Sequence, residues 1–367
     1  MSLFLVDADR DWRDSQRQLL LVARELRAKG YAAHLVLEPG SELYGRASGE
    51  GLPVIALRMR GRMKWAARMG LVRAMRTHGC RLVHFHETLG AGLGLPAAAS
   101  AQVPLRFLSR PADSSPLEGR LPLADVDAVI AGSEGVRSIL VRGGVEEGKV
   151  EVIPAGRDFS AFTTRAPEDF VRGELGLAAD DFLVGAVIPL EDERGHQALL
   201  DAAGIVAHAA PAVKFVVLGD GDLRLDAGAG GGDAARPMDA LRYFLGFRGD
   251  SPRVLASLNM LVVFSHLDGL GGVLIEAMAS GLPVAAADVG LARDLIVHRE
   301  TGLLVPARNA KSLADAVLKV HFDKVLAAKL AARGRESILE KYSVEAMARR
   351  IVGVYEYRAH RKGLKLA

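Results

Sequence analysis

Short apolar runs alternate with helix-length segments along the whole chain, and this alternation restricts the fold more than any other feature. Leu3–Val6, Ala32–Leu37, Val54–Leu57, Arg81–His86, Leu105–Leu108, Val129–Ala131 and Val150–Ile153 read as strands, with an amphipathic helix around Gln16–Lys29 and a basic one after Leu57. Strands separated by helix-length segments pair in parallel, because a parallel pair needs a crossover connection. A second series runs through Phe182–Val187, Lys214–Leu218, Tyr243–Gly246, Met260–Phe264, Val284–Ala287 and Leu303–Val305. The predicted fold is α/β, with two doubly wound, Rossmann-like halves. The polar segment Arg165–Leu177, marked by Pro167, reads as the linker between them. Ligands of such sheets bind beyond the carboxyl ends of the strands, so two halves facing each other are expected to enclose a cleft.

Composition supports that division and narrows the partners. A chain of 367 residues, 50% of them hydrophobic, can bury two cores. The single cysteine, Cys80, excludes an intramolecular disulfide and a cysteine-built zinc site, which points to a reducing, cytoplasmic setting. A formal charge of +3 is small for this length and argues against nucleic acid as the main partner. The opening MSLFLVDADRD meets charge after few apolar residues and reads as a first strand, not as a leader or a membrane span.

The segment Ser265–Val284, SHLDGLGGVLIEAMASGLPV, is the richest in chemistry. A buried strand leads into a glycine loop and then a helix. Gly269, Gly271 and Gly272 carry no Cβ to hold a ligand off the backbone, and the helix start offers unpaired N–H groups and partial positive charge. Asp268 and Glu276 add carboxylates, which accept from the hydroxyl pairs of sugar or ribose. Glycines by themselves fit an ordinary strand-to-helix turn better than a ligand site.

With the acid-x7-acid frame of Asp268 and Glu276 and the tail EAMASGLPV, this stretch resembles the retaining, nucleotide-sugar-dependent glycosyltransferases of family 4 (group 1), which have the GT-B fold. Val129–Phe162, Leu218–Arg224, Leu245–Asp250 and Thr301–Val317 extend the resemblance over nearly the whole chain, in order. It implies an acceptor-side domain at 1–162, completed by a crossover helix in 344–367, and a donor domain at 163–343. It also implies transfer of a sugar from a nucleoside diphosphate to a glycan or lipid-linked glycan in cell-envelope polysaccharide synthesis, with no metal or other cofactor. On this resemblance His86, Arg194 and Asp268 are catalytic, and Glu276, Gly269, Leu270, Gly271, Gly272 and Gly219 bind the donor. Asp14, Ser15 and Glu87 lie on the acceptor side.

Several positions depart from the family pattern. Asp268 stands where Glu is usual, Pro189 where a phosphate-clamping Arg is usual, Arg194 for Lys, Ala155 for Asn, and Asp14–Ser15 for a glycine pair in the loop Asp9–Gln18. Arg248 and Arg293 are candidates to supply the charge that Pro189 lacks. These departures keep open a second expectation, a GT-B protein that binds a sugar nucleotide or a partner enzyme without turnover. A nucleotide-sugar epimerase of the same fold is a third.

His84 and His86 share one strand face with Leu82. They suit a metal only with a third ligand, which the nearby sequence does not offer. Their other readings are structural, or, by the resemblance, His86 as a neutral or protonated donor in the cleft. The basic run Arg58–Arg76 reads as a solvated helix or, with Trp65, as a peripheral contact to an anionic membrane. Leu225–Pro237, rich in glycine and alanine, reads as a flexible surface loop.

Overall fold

The computed structural model describes residues 2–60, 64–86, 88–110, 125–163, 170–187, 193–218, 243–246, 248–265 and 271–365. The chain divides into two compact units, Met1–Arg157 with Lys341–Ala367, and Asp158–Glu340. The divisions expected from the sequence stood a few residues later, after 162 and 343.

In the first unit, β1 (Ser2–Asp7), α1 (Asp14–Ala28), β2 (Ala32–Leu37), α2 (Glu42–Gly49), β3 (Val54–Ala56), α3 (Lys64–Thr77) and β4 (Cys80–Phe85) are followed by α4 (Thr88–Ser100), β5 (Leu105–Arg110), β6 (Ala128–Ala131), α5 (Glu134–Arg142) and β7 (Val150–Val152). The seven strands pair in parallel in the order β3-β2-β1-β4-β5-β6-β7. Side chains alternate between two buried faces, as the period of two requires. Phe4, Val6, Val83, Phe85 and Leu108 pack with residues of α3 and α4 such as Leu71, Met75 and Leu95. Leu3, Leu5, Leu82, Leu105 and Phe107 face the other way.

That second face is covered by two helices far apart in sequence. Leu19, Val22 and Leu26 come from α1, and Ile351, Val352 and Tyr355 come from residues 344–361. Gly156 marks where this late helix meets the unit. A Cβ there would lie 2.8 Å from the Val344 Cα, so the approach requires glycine. The Gln18 amide fixes the same peptide from the other side, accepting from the Gly156 N–H at 2.9 Å and donating to its carbonyl at 2.8 Å.

The second unit contains α6 (Ser160–Thr163), α7 (Phe170–Leu175), β8 (Phe182–Val187), α8 (Glu193–Ala209), β9 (Val213–Leu218), β10 (Tyr243–Gly246) and α9 (Ser251–Ser257). It continues with β11 (Met260–Val263), α10 (Gly271–Ala279), β12 (Val284–Ala287), α11 (Gly290–Leu295), β13 (Leu303–Val305), α12 (Ala310–Phe322) and α13 (Lys324–Tyr342). The helix covering the first unit is α14 (Val344–Arg361), N-capped by the Ser343 hydroxyl, which accepts from the Ala346 N–H at 3.1 Å. The six strands are again all parallel, in the order β10-β9-β8-β11-β12-β13. One core joins Val184, Phe215 and Val262 of the sheet to Leu199 and Val206 of α8 and Leu313 and Val317 of α12.

Three local expectations need correction. The end of the expected linker Arg165–Leu177 is the helix α7, and its Arg172 is buried. The guanidinium reaches the Ser257 carbonyl at 3.1 Å, the Asp181 carbonyl at 2.9 Å and the Asn259 Oδ1 at 2.7 Å, which removes the cost of burying it. The start of the basic run, Arg58–Arg60, is not helical, because the N–H groups of Met59 and Arg60 are taken by the Glu38 carboxylate at 2.6 and 3.1 Å, and its described helix is α3, Lys64–Thr77. Asp14 and Ser15 are the first residues of α1 and not part of a loop. The segment Leu225–Pro237 lies outside the described residues.

Candidate functional site

Each sheet reverses its strand order once, between β1 and β4 in the first unit and between β8 and β11 in the second. Connections leave such a point in opposite directions, and the crevice they open at the carboxyl ends of the strands is where ligands of α/β sheets bind. The segments that leave these four strand ends carry most of the residues singled out from the sequence.

In the first unit the pairing Val6↔Phe85 and Phe85↔Leu108 brings the next residue of each strand into one row: Asp7, His86 and Ser109. His86 is held in that row by its own N–H, which donates to the Val6 carbonyl at 3.1 Å. All three residues are buried, at 1%, 4% and 9% exposure. Asp7 accepts from the Gln16 amide at 2.9 Å and from the Asp9 N–H at 2.8 Å. Gln16 in turn accepts from the Arg13 N–H at 3.2 Å and the Ser15 hydroxyl at 2.9 Å, so the start of α1 is tied to the end of β1. Ser15 thus buttresses the row through Gln16.

One step below lies His84, fully buried. Its Nδ1 meets the Tyr355 hydroxyl of α14 at 2.5 Å and its Nε2 meets the Ser109 hydroxyl at 2.8 Å. Both ring nitrogens are therefore engaged, and His84 has no lone pair left for a metal. The two histidine rings lie 4.2 Å apart, centre to centre. Burial pushes the His86 pKa down to about 3. Burial, and after it the neighbouring His86, holds His84 well below its usual value. Of the two protonation states open to His86 from sequence, the structure selects the neutral one near pH 7. Its Nε2 is buried with no hydrogen-bond partner among the described residues. The last residue of β5, Arg110, is also buried, and desolvation lowers its pKa.

In the second unit α10 opens at Gly271, where a Cβ would come within 2.0 Å of the Leu291 Cδ2 of α11. Glycine thus lets the two helices close on each other at the start of α10. The amides of Gly271 and Gly272 belong to the first turn, whose N–H groups have no partner within the helix. Glu276 is half-buried further along the same helix. Gly281, with φ of 75°, stops the chain from continuing as helix and turns it toward β12. Arg248 and Arg293 are committed to carboxylates, Arg248 to Asp250 and Glu174 at 2.8 and 2.7 Å and Arg293 to Asp288 at 2.7 Å.

Glu87, Pro189, Gly219, Asp268, Gly269 and Leu270 lie outside the described residues. Arg194 falls in the first turn of α8 and Asp14 at the start of α1, with side chains outside the described set. Sequence reasoning missed Asp7, Gln16, Ser109, Arg110 and Tyr355. Asp7 and Ser109 stand at or near the ends of recognisable strands, and only the strand order puts them in a row with His86.

Two parallel sheets, each with one switch point, define a two-domain α/β protein. Residues 15–161 match the family described as Glycosyltransferase Family 4, and residues 182–323 match Glycosyl transferases group 1. The chain belongs to this glycosyltransferase family, with the GT-B fold. It is 27% identical over 317 residues to the D-inositol 3-phosphate glycosyltransferase of Xylanimonas cellulosilytica, covering 77% of this chain and 73% of that one. It is 34% identical over 170 residues to the phosphatidyl-myo-inositol mannosyltransferase of Mycobacterium leprae, covering 45% of this chain and 44% of that one. The crystal structure of Anabaena Alr3699/HepE in complex with UDP superposes with a TM-score of 0.64 at 20% identity, covering 97% of this chain and 100% of that one, a likeness of fold.

Proposed function

We propose that the protein transfers a sugar from a nucleoside-diphosphate donor to a hydroxyl of a glycan or lipid-linked glycan, with retention of configuration, in the synthesis of a cell-envelope polysaccharide. The observation that carries this reading is α10, which places two N-terminal glycine amides and the Glu276 carboxylate on one helix directly after the switch-point strand β11. The amides and the helix dipole suit the diphosphate. The carboxylate suits the ribose diol, and Asp268 the donor sugar. Negative charge grows on the diphosphate as the glycosidic bond breaks, so contacts from the Gly271 and Gly272 amides and from Arg194 would stabilise the transition state more than the ground state. The acceptor would bind at the row Asp7, His86 and Ser109, where neutral His86 donates a hydrogen bond to the reacting groups. In this reading the positive field comes from the protein and no metal is needed.

The test is calorimetric titration with UDP. Glu276→Gln is expected to weaken binding about ten- to a hundredfold, the loss of hydrogen bonds to a charged acceptor. The parent is expected to bind equally well in EDTA. A folded variant with unchanged affinity removes Glu276 from the site, and loss of binding in EDTA that magnesium restores removes the metal-free mechanism.

A second contact follows from α3, where Trp65 and Met69 are 69% and 59% exposed beside the exposed cations Lys64 and Arg73. Among the described residues no helix is long and apolar enough to cross a membrane. An exposed indole among cations suits the interface of an anionic bilayer, which would keep the enzyme at the inner face of the cell membrane beside a lipid-linked acceptor. Sedimentation with phosphatidylglycerol vesicles is expected to fall at least threefold in Trp65→Ser. Equal sedimentation of parent and variant would reject membrane contact through α3.

A further inference from the structure

We propose that Ser109 is a further substrate-contacting residue, and that Tyr355 of α14 acts through His84 to keep its hydroxyl proton free for the ligand. This rests on the transferase reading only for what the ligand is.

The argument is a count of protons. Tyr355 is 1% exposed, and among the described residues its hydroxyl has one polar partner, His84 Nδ1 at 2.5 Å. A neutral imidazole donates from one nitrogen and accepts at the other. His84 is neutral because it is wholly enclosed. Two arrangements are open. In one, Tyr355 donates to Nδ1, the Nε2–H donates to Ser109, and the Ser109 proton remains unused. In the other, Ser109 donates to Nε2, the Nδ1–H donates to Tyr355, and the phenol proton is left with no acceptor. The second strands a donor among Phe107 and the core side chains, with ring centres 4.8 Å apart. The first leaves the spare proton on Ser109, the most exposed of the three, at the open end of β5. Leaving a buried donor unmade is the costlier choice, by about tenfold or more in population. The phenol therefore sets the tautomer, and the hydroxyl of Ser109 is a donor without an acceptor among the described residues. It stands in the row with His86, where the acceptor's oxygens are expected.

Side-chain nitrogen NMR of protein labelled with ¹⁵N-histidine reads the tautomer directly and needs no ligand. The expected state of His84 is Nε2–H with a bare Nδ1. A protonated Nδ1 in the parent would overturn the proposal whatever the activity. The second measurement is steady-state turnover of UDP-glucose. Ser109→Ala and Tyr355→Phe are each expected to lower kcat/KM about three- to tenfold, the value of one neutral hydrogen bond, with Ser109→Thr restoring it. Tyr355→Phe keeps the ring that packs on Phe107, and thermal melts establish that it folds. Parent-like kcat/KM in both variants would reject the contact. Failure of the parent to bind or turn over any sugar nucleotide would reject the transferase reading, while the tautomer would still decide the relay.

Discussion

His86→Ala is expected to slow sugar transfer about a hundred- to a thousandfold while leaving UDP affinity within a factor of two of the parent. The magnitude is that of removing one preorganised donor from a reacting centre, about 2.7–4 kcal/mol. The selectivity follows from location, since His86 directly follows β4 of the first unit whereas the helix proposed to hold the nucleotide is in the second. His86 is fixed by its N–H to Val6 and by the His84 ring, so it enters the reaction already placed. Because burial holds its pKa at about 3, the pH profile of kcat/KM is expected to show no inflection near 6.5 from this residue. Turnover by His86→Ala equal to the parent's would remove His86 from the mechanism, and an inflection near 6.5 that vanishes in the variant would show that its imidazole titrates in the site.

Acid is expected to destabilise the first unit through the same histidine. The folded pKa of His86 lies below its unfolded value of about 6.5, so between those values the unfolded chain binds more protons and stability falls as pH falls. The penalty is absent above about pH 7.5, reaches about 2 kcal/mol at pH 5 and about 3 kcal/mol at pH 4, and levels off below about pH 3. His84, shifted in the same direction, adds to it. Urea denaturation at pH 7 and pH 5, on parent and His86→Asn, isolates the contribution as the difference between their pH slopes. Identical slopes would mean that His86 is hydrated in the folded protein.

The strands were legible in the sequence because each is a short apolar run between polar breaks, and parallel sheets covered on both faces need such runs. Edges were less clear. Arg172 looked like linker because its charge is visible in the sequence, while the carbonyls that satisfy it, from Asp181 and Ser257, are not. Asp14 and Ser15 looked like loop because the Gln16 side chain that ties off the start of α1 is an ordinary glutamine to any pattern search. His86 was found through its position at a strand end and the family resemblance. The row it belongs to was not, because adjacency of β1, β4 and β5 is a property of sheet order, which sequence spacing does not encode. The tyrosine that reaches His84 comes from α14, and nothing local to either residue signals the pairing.

The placement of α14 has a consequence for the chain as it leaves the ribosome. Strands β1 to β7 emerge first, yet the face built from Leu3, Leu5, Leu82 and Phe107 is not fully roofed until Ile351 and Tyr355 arrive. During all the time that residues 158–340 are being made, the older unit carries an uncovered apolar strip beside α1. Among the described residues the main core of the second unit draws on its own segment, Phe182 to Leu330, and has no such wait. The first half is thus completed only at the end of synthesis, and its open strip is exposed to aggregation until translation passes α14.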